Sequence, residues 1–279
     1  RGSMVILPRY QPDAVLNAFA DEEITLFAGS PTLFTGLMSY ADFDKADFSK
    51  LKRSSSGSAP LPVELLEKWE ATTGTPIMEG YGQTEASPVI SFNPTNKRKT
   101  GSVGVALPET EIQIVSLVTN EEILPVNEKG EIRLKGPQVM SGYRNLPEES
   151  SEALRDGWLY TGDIGYLDED GYLFITARKK EMLLVSGFNV FPREIEEVLF
   201  LHPDIKEAAV AGKKDAYRGE LPIAFIVSNG KQVLNGNELR EYCKLNLAIY
   251  KVPDEFRVVE GLPKTAVGKV DKVILTEMA

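Results

Sequence analysis

Four short segments carry side chains that could act on a phosphorylated ligand. Gly80-Tyr81-Gly82-Gln83-Thr84-Glu85 sets glycines around an aromatic ring, which lets backbone approach a flat ligand closely. Tyr81 could stack on a purine, Thr84 could donate to a phosphate oxygen, and Glu85 could hold Mg²⁺. The alternative is a tight turn with a solvated Thr-Glu pair. The run 156–163 ends in Tyr160-Thr161-Gly162-Asp163. An aspartate after glycine can accept two hydrogen bonds from the vicinal hydroxyls of a ribose, or it can be an ordinary turn aspartate. Arg178-Lys179-Lys180-Glu181 is either a solvated basic turn or a cationic pivot that touches a nucleotide. Leu262-Pro263-Lys264-Thr265-Ala266-Val267-Gly268-Lys269 places a lysine on a glycine-bearing loop that could reach into a site, or simply lie in solvent. It is not a phosphate-binding P-loop: Pro263 stands where the first glycine of G-x-x-x-x-G-K-[ST] belongs, and Val270 replaces the hydroxyl residue.

Other chemistries lack their residues. The single histidine, His202, precedes Pro203 at an expected helix end, so a Ser-His-Asp or Cys-His mechanism would rest on it alone. With one histidine and one cysteine, Cys243, a zinc site has two such ligands at most. The net charge of −10 opposes non-specific nucleic-acid binding, which needs a basic face. No apolar run nears the roughly 20 residues that span a bilayer, although peripheral membrane contact needs no motif. One cysteine fits a reducing compartment, and a cytoplasmic location is expected.

The elements that must position these groups follow from periodicity. Arg1-Gly2-Ser3 ahead of Met4 has the look of an expression-tag remnant, so residues 1–3 are set aside. A helix is expected over 12–20, a buried strand over 24–28, a helix over 61–73 and a strand over 76–79, the end of a layered α/β domain. Alternating runs at 111–115, 130–135 and 172–175, broken by glycine, proline and asparagine, read as a β-rich lobe. Beyond Arg178 the pattern is a compact α+β domain. It comprises a hairpin through 183–190, helices over 193–201 and 238–247, and strands over 207–211, 223–227 and 256–259. The expected division is 4–177 and 178–279.

In order and spacing these segments resemble the adenylate-forming (AMP-binding) superfamily: acyl-CoA synthetases, aryl-CoA ligases, beetle luciferases and peptide-synthetase adenylation domains. Gly57-Ser58-Ala59-Pro60-Leu61 is similar to its adenine-side segment and 81–85 to Y-G-x-T-E. Gly130-Glu131 through Gly142-Tyr143 resembles G-E-[IL]…G-Y, 160–163 resembles Y-[RK]-T-G-D, and 263–269 resembles P-K-T-x-x-G-K. The resemblance implies an ATP- and Mg²⁺-dependent conversion of a carboxylic acid to an acyl-adenylate, then thioester formation with CoA.

By that resemblance Gly57, Ser58, Ala59, Pro60, Tyr81 and Gly82 line the adenine, and Thr84 contacts the α-phosphate. Glu85 binds Mg²⁺, Asp163 and Arg178 hold the ribose, and Lys269 bridges carboxylate and phosphate. Lys180 takes the hinge position of a mobile C-terminal lid, and Gly187 lets the pantetheine arm pass. Val185-Ser186-Gly187-Phe188-Asn189-Val190-Phe191-Pro192 is most similar to fatty acyl-CoA synthetases, with aryl acids or a carrier-protein thiol as alternatives. The family's phosphate loop, T-S-G-[ST]-T-G-x-P-K-G, does not occur here. The chain is therefore expected to represent the C-terminal part of the parent enzyme, inactive alone or limited to non-catalytic nucleotide or partner binding. After Lys269, Val270-Asp271-Lys272 stands where arginine-rich sequence is commoner.

Overall fold

In the computed structural model, which describes residues 2–59, 61–230, 234–265 and 269–279, the strands form three five-stranded sheets. The first has the order β1 (Leu26–Gly29), β2 (Arg53–Ser56), β3 (Ile77–Gly82), β4 (Val89–Phe92) and β5 (Val105–Ala106). Its first three strands are parallel, and β3–β4 and β4–β5 are antiparallel. Helices α1 (Pro12–Asp21), α2 (Pro31–Met38) and α3 (Val63–Thr73) supply apolar faces to one aromatic core. Trp69 at its centre is fully buried, stacked on Phe27 at 5.8 Å and met edge-on by Phe34 at 4.8 Å. Such ring geometries add to the stabilisation from area burial alone.

Two expectations change here. The strand expected to be buried over 24–28 is β1, an outer strand with Leu26 56% exposed. The strand expected to stop at Glu79 continues to Gly82, because on leaving β2 the chain pairs with β4, Gly80 opposite Phe92 and Tyr81 opposite Ser91.

The second sheet orders β10 (Leu173–Arg178), β9 (Trp158–Leu167), β7 (Gly130–Lys135) and β6 (Glu111–Val115), with β8 (Leu154–Arg155) beside β9 and α4 (Pro147–Ala153) before it. Ile114, Ile132 and Leu173 form its buried centre. Where a turn was one reading of Thr161-Gly162-Asp163, the chain instead runs through the middle of ten-residue β9.

The chain divides into two compact units, Arg1–Thr161 with Tyr166–Ile175, and Gly162–Gly165 with Thr176–Ala279. The second unit holds the third sheet, ordered β12 (Phe188–Val190), β11 (Leu183–Val185), β14 (Gly219–Ser228) and β13 (Ile205–Asp215), with β15 (Glu255–Val258) also on β14. On one side α5 (Pro192–Phe200) and α6 (Gly236–Asn246) bury Ile195, Leu199, Leu239 and Cys243 against Val210, Ala224 and Ile226. A second cluster joins Leu275 of α7 (Lys272–Met278) to Ala209, Ala211, Ile223, Phe225 and Leu262. Alternation along β13 and β14 thus serves two cores, which is why those strands outrun the short apolar windows at 207–211 and 223–227.

Candidate active site

In the first unit the predicted residues collect at the carboxyl ends of the parallel strands, the position where open α/β sheets receive ligands. Gly57 leaves β2 with its N–H donating to the Gly29 carbonyl at 3.3 Å, and a side chain there would meet the Gly80 carbonyl oxygen at 3.8 Å. Ser58, in left-handed conformation with φ 70°, and Ala59 are exposed, while Pro60 lies outside the described residues. Tyr81 is half-buried, packed against the two apolar clusters under β3 and β7. Gly82 admits no substitute, because a Cβ there would lie 1.8 Å from the Pro88 carbonyl oxygen.

Thr84 and Glu85 then form a 3₁₀ turn, Thr84–Ala86, pinned by fully buried Ala86. Thr84 is exposed. The Glu85 carbonyl accepts from Met140 N–H at 2.8 Å, and its carboxylate Oε1 accepts from the Tyr143 hydroxyl at 2.9 Å. Burial, with Glu85 as acceptor, raises the Tyr143 phenol above its ordinary value, so Tyr143 stays a donor at neutral pH. The sequence reading placed Tyr143 in a motif without a role; its contact with Glu85 spans 58 positions and leaves no local periodic signal.

Glu85 stands without a metal cluster. Among the described residues no group of three or more His, Cys, Asp or Glu side chains converges to hold an ion. One partly exposed carboxylate nonetheless fits Mg²⁺ that brings phosphate and water as its other ligands.

In the second unit Asp163 is 5% exposed and accepts from Arg178 Nε at 3.1 Å. Arg178 ends β10 and its side chain is 66% exposed, so the pair sets a buried acceptor behind a solvent-facing cation. Lys180 is exposed in the 3₁₀ turn Lys179–Glu181. Glu181 in that turn has its carboxyl raised chiefly by burial, with Lys272 opposing, Glu196 adding, and Arg178 and Asp163 contributing in opposite senses.

Ser186 and Gly187 join β11 to β12 with φ 52° and 85°, the two consecutive positive values of a type I′ hairpin turn. Open space surrounds the Gly187 Cα. Lys269 is exposed, and its N–H donates to Thr265 Oγ1 at 3.3 Å.

The histidine and cysteine are accounted for structurally. His202 stands edge-on to Tyr242 at 4.9 Å and its Nδ1 accepts from Asp204 N–H at 3.2 Å. Cys243 is buried, and burial pushes its thiol up to about 11, far from a nucleophilic thiolate at neutral pH.

Comparison with known proteins fixes what this arrangement belongs to. The family description for AMP-binding enzymes matches residues 1–144, and that for the AMP-binding enzyme C-terminal domain matches residues 194–269. The chain belongs to the AMP-binding enzyme family. Within that family it is 46% identical over 268 residues to the long-chain-fatty-acid–CoA ligase of Bacillus subtilis strain 168, covering 96% of this chain and 48% of that protein. It is 35% identical over 273 residues to the feruloyl-CoA synthase of an Amycolatopsis species, covering 97% of this chain and 55% of that protein. Its fold matches ATP-bound MatB from Rhodopseudomonas palustris with a TM-score of 0.94 at 35% identity, over 100% of this chain and 55% of the other. The chain therefore spans about half the length of the relatives it matches. Among the described residues no helix is long and apolar enough to cross a membrane.

Proposed function

We propose that this AMP-binding chain supplies the nucleotide-contacting strand ends and the mobile lysine-bearing lid of an AMP-forming acid–thiol ligase acting on a fatty acid. The carrying observation is the strand-end constellation, with Gly57 against Gly80 and the Glu85 carboxylate steered by the Tyr143 hydroxyl. The name of the Bacillus subtilis relative supports the fatty-acid assignment.

The first half-reaction joins a carboxylate oxygen to the α-phosphorus of ATP and breaks the bond to the β-phosphate oxygen, releasing pyrophosphate. In this reading Gly57 to Pro60, Tyr81 and Gly82 form the adenine surface and Thr84 donates to the α-phosphate. Asp163 accepts from the ribose hydroxyls with Arg178 beside it. Lys269 offsets charge between carboxylate and phosphate as transfer proceeds; preorganised charge of this kind is commonly a large catalytic contribution. When bound, Mg²⁺ neutralises phosphate charge, and Glu85 is the residue that would hold it.

In the second half-reaction the CoA thiolate attacks the acyl carbon and AMP leaves. The lid then turns about Lys180 and presents the Gly187 face to the pantetheine arm. The proposed bodies of that motion are 4–177 and 178–279, a division by chain position that differs from the compact units in keeping Gly162–Gly165 with the first body. A phosphate loop of the T-S-G-[ST]-T-G type is not among these residues, so adenylation needs additional polypeptide carrying one. ATP and CoA, the water-soluble substrates, point to the cytoplasm, and the fatty acid to peripheral contact with a membrane.

The test is ATP–pyrophosphate exchange with a long-chain fatty acid. It would be run on this chain alone and on the chain fused behind the N-terminal half of the Bacillus subtilis relative. Exchange in the fusion and none in the chain alone is expected; a fusion that binds no ATP refutes the reading. The feruloyl-CoA synthase relative favours an aryl acid as second reading. Preference of the fusion for a hydroxycinnamate over the fatty acid would establish it, and transfer to a carrier-protein thiol in place of CoA would redirect the acceptor.

A further inference from the structure

The residues on both sides of Lys269 form a short hairpin stem. Lys264 and Val270 pair as an antiparallel bridge, Thr265 N–H donates to the Lys269 carbonyl at 2.7 Å, and Asp271 N–H donates to the Pro263 carbonyl at 2.8 Å. Asp271 then caps α7 by accepting from the N–H groups of Val273 and Ile274 at 3.1 and 3.2 Å. So short a stem, bearing the exposed Lys269, needs an external anchor to hold one direction.

The anchor is on the outer edge of β13. That strand ends its sheet, so among the described residues no strand pairs with the backbone groups turned away from β14. Glu196 of α5 accepts from Val210 N–H at 2.7 Å, Lys272 Nζ donates to the Val210 carbonyl at 3.0 Å, and Lys272 and Glu196 are themselves ion-paired. The pair thereby occupies both backbone groups of one edge residue, as a neighbouring strand would. A second tie, Lys264 to Glu207 at 2.9 Å, reaches the same strand from the other arm of the stem. The Lys272–Glu196 side chains are 24% and 16% exposed, against 39% and 30% for Lys264 and Glu207. The first tie is therefore less screened and, being part of a hydrogen-bonded network of three residues, the stronger.

We infer that Lys272, clamped to Glu196 and Val210 on the edge of β13, is a positioning residue that fixes the direction of the Lys269 hairpin. The inference rests on the proposed role of Lys269 in adenylation. The Val270-Asp271-Lys272 segment then has a definite part: one cation in it, Lys272, completes the clamp. A lysine that must meet a carboxylate and a phosphate oxygen in one geometry loses rate steeply when its base drifts, by up to about 10²-fold for a displacement near 1 Å.

The experiment has two arms. In this chain, amide hydrogen exchange is compared among wild type, Lys272→Met and Lys272→Arg. Lys272→Met is expected to speed exchange at Thr265 and Asp271 about tenfold or more, while β14 and α6 stay unchanged. Lys272→Arg should remain near wild type because it can donate to the same acceptors. Unchanged Thr265 and Asp271 amides, or faster exchange across the whole second unit, would overturn the clamp.

In the active fusion, Lys272→Met should lower kcat for ATP–pyrophosphate exchange about tenfold with KM for ATP near wild type. Thioester formation from supplied acyl-adenylate and CoA should persist, and Lys272→Arg should restore exchange. Equal loss in both half-reactions would reduce Lys272 to a fold-stabilising residue and overturn its positioning role. If the wild-type fusion itself shows no exchange, the proposed function fails, and the hydrogen-exchange arm still decides the clamp.

Discussion

The first unit presents its candidate groups on strand ends, and the second, besides Asp163 and Arg178 on β9 and β10, presents Lys269 and Gly187 on hairpins. Glu85 sits in a turn whose next residue, Ala86, is fully buried, and its carboxylate is steered by a neutral tyrosine hydroxyl. Lys269 and Gly187 sit on hairpins, and the Lys269 stem is tied down by ion pairs, Lys264 to Glu207 of edge strand β13 and Lys272 to Glu196 of α5. Packing against a core fixes direction through many small contacts that salt does not screen. An ion-paired tie concentrates the same task in two or three groups. A group that must hold one geometry throughout the chemistry suits the first device. A group proposed to enter and leave a site suits the second, because its anchor can travel with the lid.

The largest expected effect removes the proposed mobile charge itself. Lys269→Ala should lower ATP–pyrophosphate exchange in the fusion by about 10²-fold or more. Its side chain is exposed, so thermal unfolding of this chain should not move. A loss of exchange below tenfold would place the charge that matters elsewhere, and the contrast between the units would lose its main example.

Gly187→Leu comes next and separates the half-reactions. Adenylation should persist while CoA transfer from the acyl-adenylate is blocked. Because φ is 85°, any L-residue there also strains the type I′ turn by about 1–2 kcal/mol. Gly187→Asn, which tolerates that conformation better, is the control. CoA transfer at wild-type rate in Gly187→Leu would remove Gly187 from the thiol path.

For the ribose acceptor, Asp163→Asn removes a charge-assisted hydrogen-bonding group. The expected loss is about 1.5–3 kcal/mol of nucleotide binding, roughly a 10- to 100-fold rise in KM for ATP with a smaller change in kcat. Arg178 is mostly exposed and can return to water. An unchanged KM would mark Asp163–Arg178 as a structural pair. Smaller still, Tyr143→Phe deletes one hydrogen bond to Glu85, for which about 0.5–1.5 kcal/mol is expected. It should raise the Mg²⁺ concentration for half-maximal exchange by roughly 2- to 10-fold, and insensitivity to magnesium would detach Glu85 from the metal.

The groups proposed to touch nucleotide stand out in the sequence because their residue types cluster: Tyr81 with Thr84 and Glu85, Gly162 with Asp163, Gly268 with Lys269. So do the elements whose apolar residues recur at a clear period, such as α1, β6, β7 and the hairpin at Ser186-Gly187. What stayed hidden depends on partners distant in sequence. Arg53-Ser54-Ser55-Ser56 carries no apolar signal, yet it becomes β2 with Ser54 and Ser56 buried because β1 and β3 flank it on both edges. The ten residues of β9 include Thr161-Gly162-Asp163, which local preference reads as a turn. Tyr143 finds Glu85 across 58 positions, and Lys272 finds Glu196 across 76. No periodicity encodes a side-chain meeting of that span.

The smallest expected effect concerns the anchors of the second unit and has a sign fixed by linkage. The Glu181 carboxyl is raised chiefly by burial, with Lys272 pulling it down and Glu196 pushing it up. A carboxyl raised in the folded state binds its proton more tightly there than in the unfolded chain. Its ionisation therefore costs stability, and the cost grows as pH climbs from the ordinary glutamate value through the raised one. Glu181→Gln removes that cost. The second unit should melt higher than wild type at neutral pH, and the gain should vanish as pH falls below the ordinary glutamate value of about 4.3. Two-wavelength thermal unfolding of this chain across that range reads it out, with the two units followed as separate transitions. If Glu181→Gln instead melts lower at neutral pH, attraction between Glu181 and Lys272 outweighs burial. Glu181 would then join Glu196 in holding the base of the Lys269 hairpin, and that anchor would weaken on acidification where the strand-end contacts of the first unit do not.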